Sequence, residues 1–130
     1  MATSRHKILI VDDDPAHLEI YGLLIKRAGY DSVPALVRFI GTEIPRDSGI
    51  GLVLLDYRLN SEKTSVEIAR DLQEIYPFAP IVLLSDVWGL PSDIAPFVTA
   101  FVRKGETEKL LRTLSLLLPL EDSGGQSGSE

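Results

Sequence analysis

Four stretches of the chain are apolar without alternation: Ile8-Leu9-Ile10-Val11, Leu52-Val53-Leu54-Leu55, Ile81-Val82-Leu83-Leu84 and Ala100-Phe101-Val102. Short continuous runs of this kind predict strands buried on both faces, because a half-exposed strand would alternate apolar with polar. A weaker extended stretch, Tyr30 to Val33, follows Gly29. Between the runs the period changes to that of a helix. Leu18, Tyr21, Leu24 and Ala28 fall three or four apart, with Lys26 and Arg27 in the last turn and Gly29 as a left-handed stop. Val66, Ala69, Leu72 and Ile75 repeat the spacing before Pro77, and a third helix from about Glu106 to Leu118 turns Leu110, Leu111, Leu114, Leu117 and Leu118 to the core. Ala35 to Ile44 and Pro91 to Val98 are predicted as short or irregular helices, since Gly41 and Pro96 interrupt them.

Strand and helix alternating in this way predict an α/β fold: a doubly wound five-stranded parallel sheet, flavodoxin-like, with right-handed crossovers and helices on both faces. A ligand site in such a sheet lies outside the carboxyl ends of the strands. The residues just after each apolar run are therefore the candidates. They are Asp12, Asp13 and Asp14 after the first, Asp56 after the second, Ser85 after the third and Lys104 after the last. Acids gathered at one sheet edge repel one another unless a cation sits among them. The chain has no cysteine, so a metal must be held by oxygen or imidazole, and the acids favour Mg²⁺.

ILIVDDDP, LVLLDYRL, IVLLSD and FVRKG, in that order and at those separations, resemble the receiver domains of two-component response regulators. The resemblance covers residues 6–118 and implies the strand order 2-1-3-4-5, which periodicity does not supply. Carried over residue by residue, it implies that Asp56 is the phosphoacceptor and that Asp13, Asp56 and the backbone carbonyl of Arg58 bind Mg²⁺ directly, with Asp12 acting through water. It makes Ser85 and Lys104 the groups that contact phosphoryl oxygens, and Phe101, with Ser85, part of the conformational switch. The implied partners are a histidine kinase or a histidine phosphotransfer protein, and an unknown downstream protein. The implied role is that of a stand-alone signalling domain, not an enzyme, although it catalyses its own phosphoryl transfer and slow dephosphorylation.

Several residues have plainer readings. Asp14 before Pro15 has the form of a helix N-cap, and His6 and His17 read as surface residues. Leu116 lies off the main stripe of the last helix and offers a surface for a partner or a homodimer. The chain also departs from the family pattern: Arg58-Leu59-Asn60 stands where methionine and proline are usual, Asp86 where a small side chain is usual, and Gly105 where proline follows the lysine. A carboxylate at Asp86 would repel an incoming phosphoryl group if it faced the pocket. The rival readings are a receiver-fold interaction module with restricted or lost phosphorylation, and a small-molecule binder on the same architecture. The second needs a glycine-rich phosphate loop after a strand, and VDDDP is acidic instead.

Composition adds exclusions. A chain of 130 residues, 45% of them hydrophobic, carries one domain. Thirteen basic against nineteen acidic side chains, with no basic run, predict neither nucleic-acid nor membrane partners. The short first apolar run is no signal-peptide core, so the chain reads as cytoplasmic, and the glycine- and serine-rich residues 121–130 read as a disordered polar tail. Trp88, the single tryptophan, lies three residues after Ser85. Its fluorescence is predicted to change on titration with Mg²⁺ and with a phosphoryl-mimicking fluoride complex; a flat response to both contradicts a working pocket.

Overall fold

The computed structural model describes residues 6–120. The predicted tail, 121–130, lies outside the described residues. The elements run β1 (Lys7–Asp12), α1 (Pro15–Arg27), β2 (Asp31–Leu36), β3 (Ile50–Asp56), α2 (Ser65–Ile75), β4 (Ile81–Ser85), β5 (Ala100–Arg103) and α3 (Thr107–Leu117), with one 3₁₀ turn at Ala95–Phe97. The strands form one parallel sheet in the order β2-β1-β3-β4-β5.

The continuous apolar runs are explained by a core on each face of this sheet. Leu9, Val11, Val53, Leu55, Ile81 and Leu83 pack on one side with Ile68, Ala69 and Leu72 of α2. Ile8, Ile10, Leu52, Leu54, Val82, Leu84 and Val102 pack on the other with Ile25 of α1 and Leu110 and Leu114 of α3. Successive side chains of a strand point to opposite faces, so a strand covered on both sides has no polar position to offer. Pro34 sits in β2, which is an edge strand and can forgo one amide donor.

The starts of α1 and α2 are chemically marked. Asp14 caps α1 through its side chain, which accepts from the Ala16 amide at 2.9 Å, with Pro15 at the first helical position. Gly29, at φ +104°, turns the chain out of the helix into β2 in a conformation that a side chain would strain. A capping box opens α2: the Thr64 hydroxyl accepts from the Glu67 amide at 3.1 Å, and the Glu67 carboxylate accepts from the Thr64 amide at 2.9 Å.

One segment differs from its expected form. Ala35 to Ile44 is not a helix, because β2 continues to Leu36 and the following residues, 37–49, have no regular structure. The Thr42 hydroxyl there accepts from the Arg38 amide at 2.8 Å and donates to the Arg38 carbonyl at 3.0 Å. These bonds occupy backbone groups that a helix would pair, and Gly41 stands at φ +79°. Pro91 to Val98 takes its expected short, irregular form, the single 3₁₀ turn with Pro96 inside it. Among the described residues no helix is long and apolar enough to cross a membrane.

Removing the Thr64 side chain leaves the Glu67 amide without its partner at the start of α2. Thr64→Ala is predicted to cost about 1 kcal/mol, read as a lower urea midpoint with an unchanged slope.

Candidate functional site

Parallel register places the candidate acids side by side. Val11 lies opposite Leu55, so Asp12 and Asp56 are the next residues of two adjacent strands. Both continue the rows of Ile8-Ile10 and Leu52-Leu54, and so belong to the sheet face covered by α1 and α3. Their side chains are 2% and 3% exposed. Asp13, half-buried, joins them: one oxygen from each of the three carboxylates lies within 4.8 Å of the others. Lys104, in the turn after β5, brings its ammonium within 3.1 Å of Oδ1 of Asp56. Its backbone amide is held by the Ser85 carbonyl at 2.8 Å.

Surrounding backbone fixes the acids further. Oδ1 of Asp12 accepts from the Asp14 amide at 3.0 Å, and Oδ2 of Asp13 accepts from the Asn60 amide at 2.9 Å. Burial raises the Asp12 carboxyl to about 6, with the neighbouring Asp56 charge adding to the effect. Burial raises Asp56 as well, against the pull of Lys104 and a hydrogen bond from the Arg58 amide. For Lys104, burial opposes the charge, but Asp56 and Asp12 outweigh it and hold the ammonium above its ordinary range. The cluster therefore carries more negative charge than its one lysine neutralises. Oδ1 of Asp56 is buried, and its contact with Lys104 is an ion pair without hydrogen-bond alignment. A buried, oxygen-only, under-neutralised group of this kind fits a hard divalent cation.

No family model matches the sequence. The transcriptional regulatory proteins GlrR of Escherichia coli K12 and QseF of Escherichia coli O157:H7 are each 28% identical over 88 residues. That alignment covers 68% of this chain and 20% of theirs, so the chain matches about a fifth of the length of these curated relatives. A response regulator receiver protein from Pseudomonas putida superposes with a TM-score of 0.71 at 25% identity, covering 88% of this chain and 99% of that one. The chemotaxis protein CheY4 of Vibrio cholerae gives 0.68 at 20% identity, covering 90% and 100%. The fold is that of a response regulator receiver domain.

Within the receiver fold, the structure brings together Asp12, Asp13, Asp56 and Lys104. Ser85 is fully buried at the end of β4, in the row of Ile81 and Leu83 that faces α2, and its hydroxyl accepts from the Val87 amide at 3.3 Å. Phe101 is half-buried and packs on the α2-side core. The Arg58 side chain turns outward, its Nε donating to Asp86 at 2.8 Å, and both side chains are about two-thirds exposed. Asp86 is thus paired with Arg58 at the surface. Trp88 is 84% exposed, with the Arg103 guanidinium 3.8 Å above its ring. Asp14 caps α1, as its spacing to Pro15 implied.

One residue was misread from sequence. His17 is not an isolated surface histidine: Nδ1 lies 3.4 Å from Oδ2 of Asp12 and Nε2 lies 3.6 Å from Oδ2 of Asp14. Its spacing three residues after Asp14, on a helix that starts beside the acids, was the signal that could have found it. The large surface cavities, about 410 and 500 Å³, lie at the other end of the sheet around Pro77, Phe78 and Ala79, far from this chemistry.

The raised Asp12 carboxyl has a consequence for stability without divalent cations. The native state keeps the Asp12 proton up to about 6, whereas the unfolded chain releases it near 3.8. The unfolded state then binds fewer protons, so stability falls as pH rises through that window. Asp12→Asn removes the burden. It is predicted to raise the thermal midpoint at neutral pH, with the gain shrinking as pH falls below about 6; equal midpoints at neutral pH contradict the prediction.

Proposed function

We propose that this chain is a phosphoacceptor receiver that takes a phosphoryl group onto Asp56 from a phosphohistidine of a histidine kinase or phosphotransfer protein. The single observation that carries the reading is the placement of Asp56. It is a buried carboxylate at the end of a central strand, with two further carboxylates on one side and an ammonium at 3.1 Å on the other.

In the proposed step an Asp56 oxygen attacks phosphorus and forms an acyl phosphate, while the P–N bond to the donor imidazole breaks and the imidazole leaves with a proton. The transferred group carries its charge on three equatorial oxygens, and catalysis consists of placing positive charge and donors beside them. Lys104 is in place to receive one oxygen without moving far from Asp56. The Ser85 hydroxyl accepts from the Val87 amide, which leaves its own proton to donate to a second oxygen and ties the chemistry to the loop that follows β4. Asp13, Asp56 and the Arg58 carbonyl would hold Mg²⁺, with Asp12 acting through water. Bound there, the ion supplies charge neutralisation among the acids and at the incoming phosphoryl group.

Phe101 already packs on the α2-side core, and its further movement with Ser85 is the proposed route by which the phosphorylated form presents an altered surface to a downstream protein. Since the curated relatives are about five times longer than the matched region, what the domain signals to is part of the proposal as well.

Incubation with a small-molecule acyl phosphate and Mg²⁺ is predicted to add one phosphoryl mass to the intact chain. Asp56→Asn is predicted to abolish the addition, and Lys104→Met to slow it by at least about tenfold. No addition to the parent chain favours an interaction module of the same fold; an addition that survives in Asp56→Asn places the acceptor elsewhere.

A further inference from the structure

We infer that His17 is a positioning residue of the acidic centre, holding the Asp12 carboxylate in the orientation in which the centre takes a divalent cation. The inference rests on reading Asp12, Asp13 and Asp56 as a cation site and adds a residue to it.

His17 is the third residue of α1, one turn on from the capping Asp14. A helical side chain leans over the turn that precedes it, so an imidazole at this position lies back across the end of β1. The contacts follow that geometry. Nδ1 approaches Oδ2 of Asp12 to 3.4 Å, while Oδ1 of the same carboxylate accepts from the Asp14 amide at 3.0 Å. One oxygen of Asp12 is thus fixed by backbone, and the other has the imidazole as a close polar neighbour. On the far side of the ring, Nε2 stands 3.6 Å from Oδ2 of Asp14, whose other oxygen caps the helix. Tyr21, one turn further along α1, meets the imidazole edge-on, with ring centroids 6.4 Å apart and planes at 74°. The ring is therefore wedged between two carboxylates and braced from behind.

Its remaining freedom is small. Nδ1 is buried and makes no hydrogen bond among the described residues, and the acceptor it approaches is Oδ2 of Asp12, so what it offers that carboxylate is a close polar contact. A buried carboxylate beside a second buried carboxylate would otherwise turn away to lessen the repulsion, carrying its lone pairs off the centre. An imidazole that restrains a carboxylate beside a metal acts on affinity through orientation, as outer-shell partners of metal ligands do.

The test uses the full chain and Mg²⁺ itself, with binding measured by isothermal titration and Mn²⁺ binding followed in parallel by paramagnetic resonance. His17→Ala is expected to weaken Mg²⁺ by about tenfold, and His17→Asn, whose amide reaches to the place of Nδ1, to stay within about threefold of the parent. Circular dichroism establishes that both variants are folded. Mg²⁺ affinity in His17→Ala that equals or exceeds the parent's overturns the inference. So does a His17→Asn variant as weak as His17→Ala, which would reduce the histidine to bulk at the helix start. Asp56→Asn separates the two levels of the argument: if it binds Mg²⁺ as well as the parent does, the cation site itself falls, and with it the role of His17.

Discussion

The constraint on which the rest of this structure depends is the burial of two like charges at neighbouring strand ends. Asp12 and Asp56 are both nearly inaccessible and occupy adjacent positions across the β1–β3 ladder. Removing a carboxylate from water is costly, and removing two side by side is costlier. Lys104 relieves part of this from the turn after β5, and the backbone amides of Asp14 and Arg58 relieve more. The surplus of negative charge that remains is what gives the centre a use for a cation.

That cost falls at the end of the best-packed part of the molecule. β1 and β3 are central strands whose apolar residues are almost entirely buried, with Ile8 and Ile10 against α1 and α3, and Leu9 and Val11 against α2. Burying a side chain of this size contributes about 2 kcal/mol, so a few such residues offset the strain among the acids. Because parallel strands in register direct paired residues to the same face, the hydrogen-bond ladder that builds the core also aims Asp12 and Asp56 at one another. Ser85, one row out of phase, faces α2. The acids and the hydroxyl therefore approach the centre from opposite faces of the sheet edge, and a group bridging them couples α1 and α3 to the loop after β4.

Much of this was legible in the chain. Continuous apolar runs located the strands, the one or two residues after each run pointed to Asp12, Asp56, Ser85 and Lys104, and Asp14-Pro15 located the start of α1. What escaped has physical reasons. Gly41 marks the interval after β2 as irregular, but the Thr42 hydroxyl bonding to both backbone groups of Arg38, which leaves no helix there at all, is not registered by period. The pairing of Arg58 with Asp86 joins residues 28 positions apart and depends on how two loops lie. His17 was missed because its partner acids precede the helix: the relation exists only once the end of β1 and the first turn of α1 are seen as one piece.

The absence of a helix after β2 bears on the centre as well. The irregular residues that replace it reach across to the loop after β3, where the Phe39 carbonyl accepts from the Glu62 amide at 2.9 Å. The same loop donates from the Asn60 amide to Asp13. The residues following β2 are therefore two hydrogen-bonded steps from an acid of the centre, through backbone and not through helix packing. A helix there would bury its own apolar stripe and shield the sheet as a rigid layer. The irregular segment instead leaves Phe39 and Ile40 exposed and spends its hydrogen bonds on the loop beside Asp56. Order in that loop, and hence the position of Asp13, depends on a few surface hydrogen bonds, the class of contact that opens at the lowest free energy in a folded domain. The acids on the α1 side are held by a strand and a capped helix, whereas the Asp13 carboxylate is tied by the Asn60 amide to a surface loop.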